Sequence, residues 1–104
     1  MIARMWHGEV PSSKAEAYHE YLNETGLKDY GDIPGNKGVF LLTKQAATTT
    51  HFYTLTFWDG WQAIKEFAGT DYEKARYYPA DKDFLVECEP LVEHFDVLEK
   101  PGWI

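Results

Sequence analysis

The segment "HFYTLTFWDGWQAIKEF", residues 51–67, joins a strand directly to a helix. Its first half, as far as Trp58, is rich in aromatic and β-branched residues, which is typical of a strand. From Asp59 onward the apolar side chains recur at helical spacing, and Asp59 with Gln62 has the spacing of a capping box. Trp58 and Trp61 concentrate aromatic surface at the junction. The segment therefore predicts a strand and a helix packed together at an aromatic corner.

Three elements are predicted before this segment. Residues 2–10, "IARMWHGEV", form a strand with apolar side chains on both faces. A helix follows, with a capping box at Ser13 and Glu16 and a glycine stop at Gly26. The stretch "LKDYGDIPGNKG" has turn composition. Residues 38–44 form a second strand, which we expect to pair as a hairpin with the strand that follows.

Two more elements are predicted after it. The stretch "YEKARYY", between Asp71 and Pro79, forms a short helix, "ADKDF" is a polar loop, and residues 91–98 form the last strand. The order strand, helix, strand, strand, helix, strand predicts an α+β protein of the ferredoxin-like β-α-β-β-α-β plan, with an antiparallel sheet. The chain has 104 residues, so we expect one domain over residues 1–98 and a tail at 99–104.

Two helices can cover only one face of such a sheet. The strands nevertheless carry apolar side chains on both faces, and six of these are expected to be bare in a monomer: Met5, Val39, Leu41, Tyr53, Leu55 and Phe57. An exposed patch of this kind implies a partner. The simplest partner is a second copy that packs sheet against sheet about a two-fold axis, which would make a dimeric α+β barrel.

The charge and the single cysteine exclude several classes of protein. The net charge is −7 and the basic residues are scattered, so neither nucleic acid nor an anionic membrane surface is an expected partner. Cys88 cannot form an internal disulfide, and its neighbours Glu87 and Glu89 disfavour a nucleophilic thiolate. The absence of a signal peptide and of a long apolar run predicts a cytoplasmic protein.

Aromatic residues make up 16% of the chain, more than one small core can bury, so some of them should line a cavity or an interface. Trp61 lies on the apolar stripe of its helix and is expected to pack, whereas Trp58 could face a cavity. Tyr77 and Tyr78 could hydrogen-bond a substrate oxygen, and Arg76 could stabilise an oxyanion. The alternative is that one tyrosine packs and the other lies at the surface.

His7 and His94 lie in the first and last strands, which are neighbours in the ferredoxin-like plan. The two histidines could therefore approach each other, with Arg4 and Glu93 in the same pair of strands. A buried histidine is a natural general base for a phenol or enol proton. The alternative is a histidine hydrogen-bonded inside a dimer interface. No paired cysteines, HxxxH motif or glycine-rich fingerprint is present, so no metal, flavin or nicotinamide site is predicted.

Residues 56–75, "TFWDGWQAIKEFAGTDYEKA", resemble the dimeric α+β barrel proteins related to antibiotic biosynthesis monooxygenases. The resemblance extends over nearly the whole chain in element order. That superfamily includes cofactor-independent oxygenases of phenolic polyketides, haem-degrading oxygenases, isomerases and proteins without a known activity. Trp58 matches a tryptophan that borders the pocket of the oxygenases. Their first-strand Asn falls at Trp6 or His7, and the histidine of the haem-degrading branch is replaced by Tyr77.

The resemblance implies a cofactor-independent monooxygenase-like enzyme that acts on a small, flat aromatic or enolisable substrate between sheet and helices. In such a reaction the substrate is deprotonated and its carbanion reacts with oxygen. The residues expected to contribute are Trp6 and Trp58 as walls, Arg4, Arg76, Tyr77 and Tyr78 as polar contacts, and His7 or His94 as the base. One alternative is a non-catalytic dimeric module that binds a small molecule. A further alternative is haem binding through Tyr77.

Overall fold

A four-stranded antiparallel sheet forms the centre of the computed structural model, which describes all 104 residues. The strands are β1 (Ile2–Pro11), β2 (Asn36–Gln45), β3 (Thr49–Trp58) and β4 (Glu93–Asp96), and the helices are α1 (Ala15–Glu24), α2 (Gly26–Gly31), α3 (Trp61–Ala68) and α4 (Asp81–Phe84). The strand order β2-β3-β1-β4 is that of the ferredoxin-like plan. The predicted α+β fold is therefore confirmed.

The pairing of β1 with β3 decides which side chains share a face of the sheet. Arg4 lies opposite Thr56 and Trp6 opposite Thr54, and these positions are buried under the helices. His7 lies opposite Tyr53, on the other face, which no helix covers. We call the two sides the helix face and the open face.

The core lies between the helix face and the helices, in two neighbouring clusters. Tyr18 and Leu22, one turn apart on α1, pack against Trp6, Val10 and Phe52 of the sheet. The second cluster, under α2 and α3, contains Ile2, Tyr30, Trp58, Ala63, Ile64 and Phe67. The helices are therefore held by burial of their apolar stripes rather than by their caps. Neither predicted capping box forms, because Lys14 and Gly60 occupy the N-cap positions without a side-chain hydrogen bond.

The register of β2 corrects the predicted set of bare side chains. Val39 pairs with Thr56 and Leu41 with Thr54, so both point to the helix face and pack against the core. Phe40 and Leu42 occupy the open face instead. A register irregularity between Asn36 and Gly38 decides which residues of β2 lie on each face. A shift of one residue moves every side chain of a strand to the opposite face.

The chain between α3 and β4 also differs from the prediction. The stretch expected to be a helix between Asp71 and Pro79 is irregular, because its backbone pairs with the segment before β4: the Ala75 N–H donates to Pro90 O and the Val92 N–H to Glu73 O, both at 2.9 Å. Helices α2 and α4 form where a turn and a loop were expected. Strand β4 has only four residues, fewer than the predicted 91–98.

Candidate functional site

A pocket lies between the helix face of the sheet and the helices. Its floor is formed by Arg4, Trp6 and Thr54, and its walls and mouth by Tyr18, Leu22, Gly26, Leu27, Tyr30, Phe67, Arg76, Tyr78 and Asp81. The free space at its centre is about 20 Å³, room for roughly one water molecule. A larger ligand therefore requires side chains at the mouth to move.

Arg4 projects from the middle of β1 into this pocket and is only 1% exposed. One guanidinium nitrogen, Nη2, donates to the backbone oxygen of Lys74 at 3.2 Å, and the group lies 5.4 Å from the centre of the Phe67 ring. The Nε–H is buried without a hydrogen-bond partner. Burial lowers the pKa of Arg4, but a guanidinium still remains charged. Arg4 takes part in none of the ion pairs of the molecule.

Trp6 lies two residues further along β1 and faces the same pocket. Its ring packs against Tyr18 and Tyr77, with centroids 6.5 and 6.3 Å apart. The indole Nε1–H is buried and has no acceptor. The predicted wall residue therefore lines the pocket, and its N–H, which interacts only weakly with the Tyr77 hydroxyl, makes no hydrogen bond of ordinary geometry.

Asp81 is the carboxylate of the pocket and is almost fully buried. Its Oδ1 accepts the Tyr18 hydroxyl proton at 2.9 Å, and its Oδ2 accepts the backbone N–H of Tyr78 at 2.6 Å. Burial raises the pKa of Asp81, and it also raises the pKa of Tyr18. Sequence reasoning missed Asp81 because it lies in the stretch taken for a polar loop. The only available signal was that a tyrosine hydroxyl on an apolar helical stripe needs a buried partner.

The mouth of the pocket is formed by Arg76, Tyr78 and Asp29. Arg76 Nη2 lies 3.4 Å from Asp29 Oδ2, and the Tyr78 hydroxyl donates to the same oxygen. The Arg76 guanidinium also donates to the backbone oxygen of Phe67 at 2.9 Å and lies over the Tyr78 ring. Burial raises the pKa of Tyr78, so this phenol remains protonated at neutral pH. Two of the predicted polar contacts, Arg76 and Tyr78, therefore belong to the pocket.

Tyr77 does not line the pocket. Its hydroxyl donates to the backbone oxygen of Glu89, and its ring supports Trp6 from behind. Burial raises the pKa of Tyr77 to about 12. The neighbouring tyrosines thus have different roles: Tyr78 reaches the mouth, whereas Tyr77 packs.

The two tryptophans of the strand–helix junction do not both have their expected places, and neither lines the pocket. Trp58 is fully buried in the second core cluster, where it donates its Nε1–H to Thr56 Oγ1 at 2.8 Å and packs against Tyr30 and Phe67. The expectation that Trp58 faces the cavity is therefore wrong. The cause is the register, which pairs Trp58 with Ile2, whereas the pocket lies further along β1, at Arg4 and Trp6. Trp61 is 41% exposed and packs in part, with its ring against Tyr72 and His94.

The expected approach of His7 to His94 is also wrong, because the two side chains lie on opposite faces of the sheet. His94 pairs with Arg4 on the helix face, where its ring contacts Trp61 and Tyr72 at centroid distances of 5.2 and 5.6 Å. Its Nε2 is buried without a partner, and burial followed by the charge of Arg4 lowers the pKa of His94 to about 4. His94 does not line the pocket.

His7 lies on the open face in a chain of four polar side chains. Its Nδ1 contacts the Glu89 carboxylate, and its Nε2 lies 2.8 Å from Nδ1 of His51. The two imidazole rings stack, with centroids 5.1 Å apart, and His51 Nε2 lies 3.7 Å from Glu9. The ring nitrogens of His7 are therefore fully used by protein groups. His51 comes beside His7 only through the register of β1 with β3, which no local pattern in the sequence shows.

No group of three or more His, Cys, Asp or Glu side chains is arranged to hold a metal ion. No helix combines the length and the apolar character that crossing a membrane requires.

Among the comparisons with known proteins, the one with solved structures gives a match. No protein-family model matches the chain, and no curated protein matches it. Among solved structures, the chain is similar to a Bacillus cereus protein provisionally described as an antibiotic biosynthesis monooxygenase, with 13% identity and a TM-score of 0.65. The alignment covers 97% of this chain and 96% of the other. The likeness shows that the chain has the ferredoxin-like α+β fold of that monooxygenase-like protein.

Proposed function

We propose that the protein is an enzyme that acts, without a bound cofactor, on a small flat phenol or enol in the pocket between sheet and helices. The observation that carries the proposal is the combination of a buried carboxylate, Asp81, with the guanidinium groups of Arg4 and Arg76 in one aromatic pocket. Such a site can accept a proton and stabilise the anion that remains. The fold shared with a monooxygenase-like protein supports oxygen as the second reactant.

In this reaction Asp81 takes the place that sequence reasoning gave to His7 or His94. Burial raises the pKa of Asp81, which makes its carboxylate a stronger base towards a phenol or enol. The proton passes to Asp81, and the electron pair left on the substrate carbon reduces O2 and forms a C–O bond, which gives a peroxide anion. Asp81 returns its proton to this anion, and the resulting hydroperoxide loses water, so that the O–O bond breaks and a carbonyl group remains on the substrate. The Arg76 guanidinium stabilises the negative charge on the substrate oxygen, and Arg4 adds a second positive charge to the same pocket.

The substrate has to enter through the mouth, since the free space within is only about 20 Å³. The ion pair of Arg76 and Asp29 is half-exposed, with side-chain exposures of 42% and 35%. Pairs of this kind contribute about 0–1 kcal/mol, so its separation costs little. Movement of Arg76 and Tyr78 is therefore the proposed route of entry.

A second part of the proposal is a homodimer formed through the open face. This face carries partly exposed apolar side chains, namely Met5, Phe40, Leu42, Tyr53, Leu55, Phe57 and Phe95. Contiguous apolar surface of this kind marks an interface, and a second copy can cover it by two-fold symmetry. The pocket lies on the opposite side of the sheet, so dimerisation leaves its mouth open.

Oxygen uptake with a panel of phenolic and enolic compounds tests the enzymatic proposal. We expect uptake by the natural protein and a loss of at least 100-fold in Asp81→Asn, which keeps the shape but removes the base. Asp83→Asn is the matched control, because Asp83 lies exposed on the same short helix. Uptake that Asp81→Asn leaves unchanged would show that Asp81 is not the base.

The second candidate function is a non-catalytic dimeric module that binds a small molecule. It is favoured by the position of His7 and His94, neither of which lines the pocket. Ligand binding without oxygen uptake would identify this function. Haem ligation by Tyr77 does not fit the structure, because its hydroxyl is already used by Glu89 and lies outside the pocket.

A further inference from the structure

Arg4 is a buried cation for which the chain supplies no anion. It is 1% exposed, and the groups beside its guanidinium are the backbone oxygen of Lys74 and the phenol of Tyr30 rather than a carboxylate. The nearby acids are used elsewhere: Asp81 accepts from Tyr18 and Tyr78, and Asp29 pairs with Arg76. An uncompensated buried charge is strongly unfavourable, and buried charges in proteins are therefore normally paired. The counter-ion of Arg4 is thus expected to come from outside the chain.

A second unused donor lies on the same floor. The Nε1–H of Trp6 and the Nε–H of Arg4 are both buried and unpartnered, and the two residues alternate on one face of β1. Both side chains line the pocket and are more than nine-tenths buried. An indole N–H and a guanidinium can only donate hydrogen bonds. The missing partner must therefore be an acceptor, and the charge of Arg4 selects an anionic one.

The size and shape of the pocket narrow the class of anion. The free space in the pocket is only about 20 Å³, so any ligand has to displace side chains at the mouth, and a carboxylate, the most compact organic anionic group, requires the least displacement. A carboxylate is planar and matches the planar guanidinium. The rings of Tyr18 and Phe67 line the same pocket and can contact a flat substituent.

We propose that the ligand of this pocket is a small, flat aromatic or enolisable carboxylic acid whose carboxylate is bound by Arg4 and Trp6. This inference rests on the proposed function and specifies its substrate class. Arg4 and Trp6 anchor the ligand from the sheet, while Asp81 and Arg76 lie at the other side of the same pocket. The neutral indole and the arginine thus select acids over neutral phenols.

Isothermal titration calorimetry with benzoate and with its neutral analogue benzyl alcohol tests this proposal. We expect the natural protein to bind benzoate at least 30-fold more tightly than benzyl alcohol. This ratio corresponds to the contribution of about one charge-assisted hydrogen bond. Arg4→Met should abolish that preference by weakening benzoate binding at least 30-fold. Equal affinities for the two probes, no binding of benzoate, or unaltered benzoate binding by Arg4→Met would each overturn it.

Two further variants make the result independent of the folding of Arg4→Met. Trp6→Phe keeps a ring but removes the N–H, and we expect it to weaken benzoate binding about tenfold. Lys37→Met is the control, because it removes an exposed cation that pairs with Asp59 outside the pocket. Oxygen uptake with neutral phenols but no benzoate binding would overturn the carboxylate class and leave the proposed enzyme intact. Benzoate binding without oxygen uptake would support the carboxylate class and overturn the proposed enzyme.

Discussion

The two faces of the sheet differ in whether the hydrogen-bonding groups of His7, on one face, and of Arg4 and Trp6, on the other, have partners. On the open face, both ring nitrogens of His7 are used by protein groups, Glu89 on one side and His51 on the other. On the helix face, Arg4 and Trp6 are buried with donors that nothing accepts. Buried polar groups are normally satisfied, so the helix face is where a ligand is missing. Histidines are the obvious candidate bases in the sequence. The buried donors without an acceptor indicate a binding site more directly.

The largest expected effect concerns which tryptophan belongs to the core of the helix face. Trp58→Ala should lower the free energy of unfolding by about 3–5 kcal/mol, because it removes a fully buried indole. Trp61→Ala should lower it by about 1 kcal/mol, since that ring is partly exposed and packs only in part, against Tyr72 and His94. Urea unfolding of the two variants measures the difference. Equal losses would contradict the assignment of Trp58 to the core.

A pH dependence is expected from His94, the histidine of the helix face. Its pKa is lowered to about 4 in the folded protein, so the unfolded chain binds its proton more readily. The stability that this histidine contributes is present above about pH 6.5 and is lost as the pH falls towards 4, with a slope of at most about 1.4 kcal/mol per pH unit. Unfolding at several pH values should show this loss in the natural protein and less of it in His94→Gln. The same slope in both would contradict the assignment.

The smallest expected effect is at the mouth of the pocket. Asp29→Asn removes the carboxylate that holds Arg76 and Tyr78, and it should change the free energy of unfolding by less than about 1 kcal/mol. Because the mouth opens more readily, benzoate should associate several-fold faster. Stopped-flow fluorescence of the pocket tryptophan Trp6 can follow the binding. The exposed Asp32→Asn is the control, and an equal acceleration there would argue against a gate at the mouth.

Most of the fold follows from local patterns, whereas the site depends on contacts between distant segments. The alternating residues of β1 and β3 and the apolar stripe of α3 predict those elements correctly. The side of the sheet on which Val39 lies depends on an irregularity in β2, which no local pattern shows. Likewise, Asp81 meets Tyr18 only because the chain folds back across 63 positions. Of the residues that line the pocket, the sequence therefore indicated Arg4, Trp6, Arg76 and Tyr78 but not Asp81.

Native mass spectrometry with benzoate present tests the central claim, that the helix face binds a ligand and the open face binds a second copy. The expected result is twice the 12.0 kDa mass of one chain, with benzoate retained on each chain. Leu55→Asp, on the open face, should give the single-chain mass and still retain benzoate. A single-chain mass for the natural protein, or a dimer that never carries benzoate, would contradict the account.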